Sequence, residues 1–227
     1  MEEDRKTAVF FDLEGTIFNG HFWQGVVKHH GEHRLKIPQV STYIATHIPL
    51  WMAGKLRILS EEAYKIKWGE DLAIVFKGFN KEQGLSIFDW IGSNYVMKSL
   101  QTDIMALLQQ HREQGHIIVL ISGCFDDFLE AIKQKLNVDY VVGTRLEVVN
   151  NVYSGKIVKP LCFGINKVNM LKEFIKQKKL NIDLELSFAY SDSIMDAPLL
   201  EMVGNPVATY PDKKLLNLAK LKNWDIL

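Results

Sequence analysis

Long apolar runs are missing from this sequence of 227 residues. The most apolar stretch, residues 117–121, is far shorter than the roughly 20 residues that a membrane-spanning helix needs. The apolar stretch near the N-terminus is interrupted by Asp12, so it does not have the form of a signal peptide. We therefore expect a soluble, cytoplasmic protein without a membrane partner.

Cysteine is scarce, and neither sign of charge dominates. The two cysteines, Cys124 and Cys162, lack the spacing of metal ligands and are too few to cross-link a chain of this length, which favours a reducing compartment. Lysine plus arginine equals aspartate plus glutamate at 27 each, and the charges are scattered. The composition therefore gives no indication of a nucleic-acid partner.

Short β-rich apolar segments alternate with amphipathic segments of helical period. We predict strands at residues 7–11, 116–121, 139–142, 186–190 and 206–208. We predict helices at residues 99–114, 125–136, 167–179, 195–202 and 211–222. Residues 144–158, with Asn150 and Asn151 between two β-rich arms, predict a hairpin. Strands that alternate with helices indicate an α/β fold with a doubly wound, parallel, Rossmann-like sheet.

The composition changes after the first predicted strand. Apolar residues recur at helical spacing between residues 17 and 90, and the tryptophans of this region are Trp23, Trp51, Trp68 and Trp90. We interpret the region as a small helical cap inserted after the first strand. The predicted core is then residues 1–16 together with 91–227, and the predicted cap is residues 17–90.

Polar residues follow three of the predicted strands. They are residues 12–16, residues 122–123 and residues 191–196, with Lys167 between the last two. Because the carboxyl ends of neighbouring parallel strands meet in one crevice, we expect carboxylates, a hydroxyl and an ammonium to lie together. This mixture suits phosphoryl transfer, in which a carboxylate attacks phosphorus. Mg²⁺ prefers carboxylate and carbonyl oxygens and would offset the repulsion between these acids and a phosphate.

The same residues resemble the four motifs of the haloacid dehalogenase superfamily, in the branch that contains phosphoserine phosphatase. FFDLEGT at residues 10–16 is similar to the first motif, and ISG at 121–123 to the second. Lys167 in GINKVNML matches the third, and YSDSIMDAPLLEMVGNPVA at 190–208 matches the fourth. The fourth is the most specific, because both its acidic spacing and its ending are typical of this branch.

The resemblance implies a role for each matching residue. Asp12 would be the nucleophile, Glu14 the general acid and base, and Lys167 the cation that holds the nucleophile and the phosphate. Mg²⁺ would be bound by Asp12, Asp192 and the main-chain carbonyl of Glu14. The phosphoryl oxygens would be bound by Thr16, Ser122 and the backbone of Gly123. Asp196 would orient Lys167 or the waters around the metal.

Two positions depart from the family pattern. Glu14 stands where the family usually has an aspartate, which moves the carboxyl group by one methylene, on the order of 1.5 Å. His21 stands where serine-specific relatives have an acid that holds the substrate ammonium. We therefore predict that Glu14 keeps its acid/base role and that free phosphoserine is a poor substrate.

The expected function is Mg²⁺-dependent hydrolysis of a small-molecule phosphate monoester through a phosphoaspartate. The alternative is a catalytically weakened scaffold of the same fold that binds a phosphorylated ligand or partner, an option that rests on Glu14. A signalling receiver also uses an aspartate, a hydroxyl and a lysine, but its acidic pair comes before the phosphoacceptor, whereas here the pair is late in the chain.

Several residues in these segments have simpler interpretations. Asp12 alone is compatible with an ordinary turn, and Lys159 competes with Lys167 for the role of the site lysine. His29 and His33 are spaced like metal ligands on one helix face, yet no acid or cysteine completes a zinc site, so a structural role is favoured.

Overall fold

A computed structural model describes residues 5–56 and 58–227. Seven strands form one sheet: β1 (Ala8–Phe11), β2 (Ile117–Phe125), β3 (Tyr140–Val149), β4 (Val152–Val158), β5 (Phe188–Ser191), β6 (Asn205–Ala208) and β7 (Asp225–Ile226). The α-helices are α1 (Phe22–Glu32), α2 (Ile37–Lys55), α3 (Glu61–Asp71), α4 (Lys81–Ile91), α5 (Thr102–Glu113), α6 (Asp126–Leu136), α7 (Ile165–Lys178), α8 (Ala197–Leu200) and α9 (Lys213–Lys222).

The sheet is doubly wound, as the sequence predicts. Its strand order is β4-β3-β2-β1-β5-β6-β7, and every neighbouring pair is parallel except the antiparallel hairpin β3–β4. The chain leaves central β1 towards β2 on one side and later adds β5 on the other. The carboxyl end of β1 is therefore a topological switch point, where ligands bind in sheets of this kind.

Strand β1 is buried on both faces, which explains its run of apolar residues. Ala8 and Phe10 belong to the apolar cluster on one face, while Val9 and Phe11 belong to the larger cluster on the other. All four are fully inaccessible to solvent. Burying a side chain as large as phenylalanine contributes about 1.5–3 kcal/mol, so this strand anchors the residues that follow it.

The segment between β1 and β2 is helical. It holds α1 to α5, a 3₁₀ helix at Leu72–Phe76 and a π-helical turn at Gly92–Val96, and no strand occurs there among the described residues. Phe22, Phe76 and Phe88 of this segment pack against Phe125 and Phe128 beside the sheet. One apolar cluster thus spans the inserted helices and the sheet, and the division at residues 16 and 90 stays a prediction.

Several elements differ from the expectation in extent. The predicted helix at 195–202 is a 3₁₀ turn at Ile194–Asp196 followed by the short α8, with a proline in its first turn. Strand β3 continues through Gly143 into the predicted hairpin. This position is occupied by glycine, and a Cβ there would lie 2.6 Å from Leu129. The two-residue β7 was not predicted. In the described part of the chain, no helix is long and apolar enough to cross a bilayer.

Candidate active site

The predicted site residues converge around the carboxyl ends of β1, β2 and β5. Asp12 directly follows β1, and its amide donates to the Tyr190 carbonyl on β5 at 3.0 Å. Gly123 belongs to the last part of β2, and Asp192 directly follows β5. Residues that are 180 positions apart in the sequence (12 and 192) therefore face one cavity.

Lys167 is the centre of a buried ion network. Its Nζ donates to Asp12 Oδ1 and to Asp196 Oδ2, each at 2.6 Å, and the Ser191 hydroxyl donates to the same Asp196 oxygen at 2.7 Å. Lys159 instead pairs with Glu70 at the surface, at 2.9 Å. The structure thus brings Lys167, and not its rival, to the predicted nucleophile.

Charge in this network is only partly balanced. Burial lowers the pKa of Lys167, but the contacts with Asp12 and Asp196 outweigh burial and raise it, so the amine is charged. Burial raises the pKa of Asp12 well above its usual value, against the opposing effect of Lys167. Burial also raises the pKa of Asp192 to about 7, and the Asp196 carboxylate adds to the effect.

Glu14 is anchored to the first helix of the inserted segment. Its Oε1 accepts a hydrogen bond from the amide of Phe22, the first residue of α1, at 2.5 Å, and His21 Nδ1 lies 3.8 Å from the same oxygen. An acid at a helix N-terminus is stabilised by the free amides and by the helix dipole. The additional methylene of glutamate therefore has a structural use, which is reaching this helix.

The loop that carries Glu14 lies close to Asp192. Gly15 adopts φ +77°, and a Cβ at this position would lie 2.2 Å from Asp192 Oδ2. Gln101 fixes the loop after β1, because its side-chain amide donates to the carbonyls of Gly15 (2.9 Å) and Thr16 (3.0 Å). Glycine is required here both by conformation and by space.

The three predicted phosphate-binding residues have different positions. Gly123 lines the cavity. Ser122 is buried, and its Oγ accepts from the amide of Cys124 at 3.2 Å. The Thr16 hydroxyl is buried without a hydrogen-bond partner among the described residues. Contacts of these groups with a phosphoryl oxygen stay a prediction.

A cavity of about 510 Å³ covers the network. Its floor carries Asp12, Glu14, Lys167, Asp192 and Asp196, and its opposite wall is built from α1, α2 and α3. Glu61 of α3 pairs with the cavity residue Lys65 at 2.9 Å and accepts from Lys214 of α9 at 2.8 Å. This volume falls within the range of small-molecule sites.

The donor set suits a hard divalent cation. The floor of the cavity presents four carboxylates and one ammonium, and the raised pKa of Asp192 reports a buried acid that the ammonium does not fully compensate. In residues 5–56 and 58–227, no cluster of three or more His, Cys, Asp or Glu side chains would hold a metal. A Mg²⁺ ion at this floor would therefore use the carboxylates of Asp12 and Asp192 together with a main-chain carbonyl and water.

Other candidates have structural roles. His29 and His33 stack on each other and pack edge-on against Trp90, away from the cavity. Cys124 borders the cavity, but burial raises the pKa of its thiol well above the usual value, so it is a poor nucleophile.

The sequence of the chain matches a known protein family. The family model of haloacid dehalogenase-like hydrolases matches residues 9–201, which is most of the chain. The chain belongs to the haloacid dehalogenase-like hydrolase family. The family and the α/β fold predicted from the sequence are both confirmed.

Relatives from mycobacteria match this family member over nearly its whole length. A putative hydrolase of Mycobacterium leprae is 27% identical over 98% of this chain and 73% of its own length. Phosphoserine phosphatase SerB1 of Mycobacterium tuberculosis is 26% identical over 98% of this chain and 71% of its own. These relatives support the phosphoserine phosphatase-like branch, and the predicted enzyme class, a phosphatase, is confirmed.

Solved structures share the fold of this chain. A protein of unknown function from Bordetella pertussis superposes with a TM-score of 0.84 at 18% identity, covering 99% of both chains. A phosphoserine phosphatase with a phospho-aspartyl intermediate analogue superposes with a TM-score of 0.63 at 20% identity, covering 98% of this chain and 93% of that one.

No role was predicted for three contributors to the site of this hydrolase. Ser191 fixes Asp196, Gln101 fixes the loop after β1, and the Phe22 amide holds Glu14. Ser191 lies directly before Asp192 in the fourth motif, so its position at a strand end was an available signal. Gln101 has no such signal, because its partners are main-chain atoms 85 and 86 residues away.

Proposed function

We propose that this hydrolase cleaves phosphate monoesters with Mg²⁺ through a phosphorylated Asp12. The observation that carries the proposal is the buried lysine bridge, in which Lys167 binds Asp12 and Asp196 at 2.6 Å each beside Asp192. A lysine in this position orients the attacking carboxylate, favours its charged form against the effect of burial, and supplies positive charge to the phosphoryl oxygens.

The reaction has two displacements. A carboxylate oxygen of Asp12 attacks phosphorus, the ester P–O bond breaks, and Glu14 gives its proton to the departing alkoxide, which leaves as the alcohol. Glu14, now a carboxylate, removes a proton from water, whose oxygen attacks the phosphoaspartate. The acyl–phosphate P–O bond then breaks, which releases phosphate and restores the Asp12 carboxylate and the protonated Glu14.

Three further residues have positioning roles in this scheme. Asp196 and Ser191 hold Lys167, and the Phe22 amide holds one oxygen of Glu14. Mg²⁺, when bound by Asp12, Asp192 and the Glu14 carbonyl, would neutralise charge between the carboxylates and the phosphate. The cytoplasmic location and a small-molecule ester as substrate belong to the same proposal.

The test is hydrolysis of p-nitrophenyl phosphate by the full chain. We expect activity with Mg²⁺, loss of activity in EDTA and recovery when Mg²⁺ is restored in excess. Asp12→Asn should be inactive, because the amide is nearly isosteric but a far poorer nucleophile. The exposed Asp89→Asn is the matched control and should keep full activity.

Two results would contradict the proposal. Full activity in EDTA would mean a metal-free mechanism, and activity of Asp12→Asn above a few per cent would remove Asp12 as the nucleophile. Tight binding of phosphate esters without any turnover would instead favour the weakened scaffold.

A further inference from the structure

We infer that the substrate of this site is a phosphate monoester whose alcohol is apolar and larger than serine. The inference rests on the proposed function, because it concerns the alcohol side of the same cavity. The observations that carry it are the composition, the packing and the exposure of the wall opposite Asp12.

The wall opposite the charged floor is built from aromatic and aliphatic side chains. Trp23 comes from α1, Ile48 and Trp51 from α2, and Tyr64 and Trp68 from α3, and all five line the cavity. An alcohol that leaves from a phosphate held near Asp12 would point towards this wall. Apolar atoms of the alcohol would there exchange water for aromatic surface.

Charge on the wall is unfavourable for an amino acid substrate. Among the described lining residues, the carboxylates all belong to the floor, and the one lysine or arginine from the inserted segment is Lys65. Lys65 pairs with Glu61 at 2.9 Å. A substrate ammonium at the wall would therefore meet the charged Lys65 without a carboxylate of its own, and an unpaired charge in a partly dry cavity is strongly disfavoured.

Packing between the inserted helices holds the apolar wall in place. Trp23 and Trp68 pack edge to face with ring centroids 5.5 Å apart. Helices α2 and α3 approach so closely at Gly54 that a Cβ there would lie 2.3 Å from the Tyr64 ring. Rings held in this way present a fixed surface, so little ordering is needed when an apolar group binds.

Part of the apolar wall remains open to solvent at the mouth of the cavity. Ile48 and Trp51 are each 46% exposed although they line the cavity, and the neighbouring Met52 is 51% exposed. An extended alcohol would cover the exposed faces of Ile48 and Trp51, whereas the short serine side chain would not reach so much surface. The exposed area thus favours a substrate larger than phosphoserine.

The experiment compares kcat/KM for ethyl, butyl, hexyl and octyl phosphate with that for O-phosphoserine. These alkyl leaving groups have nearly the same pKa, so the series reports contact with the wall and not the chemistry. We expect kcat/KM to rise up to about fourfold per methylene, since burying a methylene contributes ~0.8 kcal/mol. O-phosphoserine should be at least about tenfold poorer than butyl phosphate.

The matched variants are Ile48→Asn and Leu221→Asn. Both replace an exposed apolar residue of a helix, but only Ile48 lines the cavity. We expect Ile48→Asn to flatten the dependence on chain length, and Leu221→Asn to preserve both the slope and the rates. Circular dichroism and thermal unfolding of each variant separate this effect from loss of folding.

The outcomes distinguish the inference from the proposed function. An enzyme that hydrolyses p-nitrophenyl phosphate but prefers O-phosphoserine, or shows no increase with chain length, overturns the inference alone. A chain that hydrolyses none of the esters overturns both. An unchanged slope in Ile48→Asn with the fold intact would remove this wall as the binding surface.

Discussion

The two ends of the cavity are built on different principles. At the floor, Lys167, Asp12 and Asp196 are almost fully buried and joined by hydrogen bonds of 2.6 Å. At the opposite wall, Ile48 and Trp51 are apolar and half-exposed. The floor therefore defines a reaction through fixed geometry, while the wall selects a substrate through area and shape. Changes at the floor should alter the rate of chemistry, and changes at the wall should alter which ester is preferred.

The strongest disturbance of this contrast is Lys167→Met. We expect loss of more than about a thousandfold in kcat for every ester, because the variant lacks both the orientation and the charge that Lys167 supplies. It also leaves two buried carboxylates without their partner, which should destabilise the fold by about 3–5 kcal/mol. Steady-state kinetics and urea unfolding measure the two effects. A variant that kept alkyl phosphate hydrolysis within tenfold would show that the floor is not organised around this lysine.

Glu14→Gln should separate alkyl from aryl substrates. General acid catalysis contributes typically 10²–10⁴-fold, so we expect a loss of about this size for alkyl phosphates and a smaller one for p-nitrophenyl phosphate. Without a base for the second displacement, phosphorylated Asp12 should accumulate and a burst of nitrophenol should precede slow turnover. The Phe22 amide still has an oxygen to bind in the glutamine variant, which makes it the suitable replacement. Equal losses for both substrates and no burst would limit Glu14 to shaping the loop.

Two buried histidines of the segment between β1 and β2 can be probed through pH, and one of them, His111, hydrogen-bonds with Tyr190 of β5 at 2.8 Å. His29 of α1 and His111 of α5 are both buried, and burial lowers the pKa of each from 6.5 to about 4. Below pH 6.5 each of these imidazoles binds a proton in the unfolded chain but not in the folded chain, so its contribution to stability falls as the pH decreases towards 4. Between pH 7 and pH 5 we expect a decrease of about 2 kcal/mol for each histidine.

Urea unfolding at the two pH values, followed by tryptophan fluorescence and by circular dichroism, measures this decrease. Coincident transitions would mean that the inserted helices unfold together with the sheet. Asp192, whose pKa is raised to about 7, contributes with the opposite sign over the same range, so the histidine contribution is the difference between the parent and the double variant His29→Gln/His111→Gln. An equal change of stability with pH in the parent and in this variant would contradict the burial of these imidazoles.

The smallest effect is expected at the ion pair between α9 and α3. Lys214→Gln removes the ion pair between α9 and Glu61 of α3, both of which are partly exposed. Exposed pairs contribute about 0–1 kcal/mol, so the midpoint of unfolding should move little and the difference from the parent should shrink in high salt. The order of kcat/KM values across the alkyl series should not change. A changed order would show that this pair, and not only the apolar wall, controls specificity.

Much of the floor could be predicted from the sequence, because short motifs at strand ends tie chemistry to topology. Asp12, Lys167 and Asp192 were all expected to meet, and the sheet brings them together at its switch point. The wall was harder to predict, since Trp23 and Trp68 are 45 residues apart in the sequence and only helix packing brings their rings together. The contact of Glu14 with Phe22 was also not predicted, because it depends on where α1 begins.

The hydrogen bond from the Phe22 amide to Glu14 has a consequence for engineering. It ties the residue that moves protons to the beginning of the inserted helices, so the two parts are not independent modules. Grafting a foreign cap between β1 and β2 would leave Glu14 without its anchor unless the first amide of the new helix occupied the same place. A successful chimera would therefore have to exchange residue 14, residue 21 and the first turn of α1 as one unit.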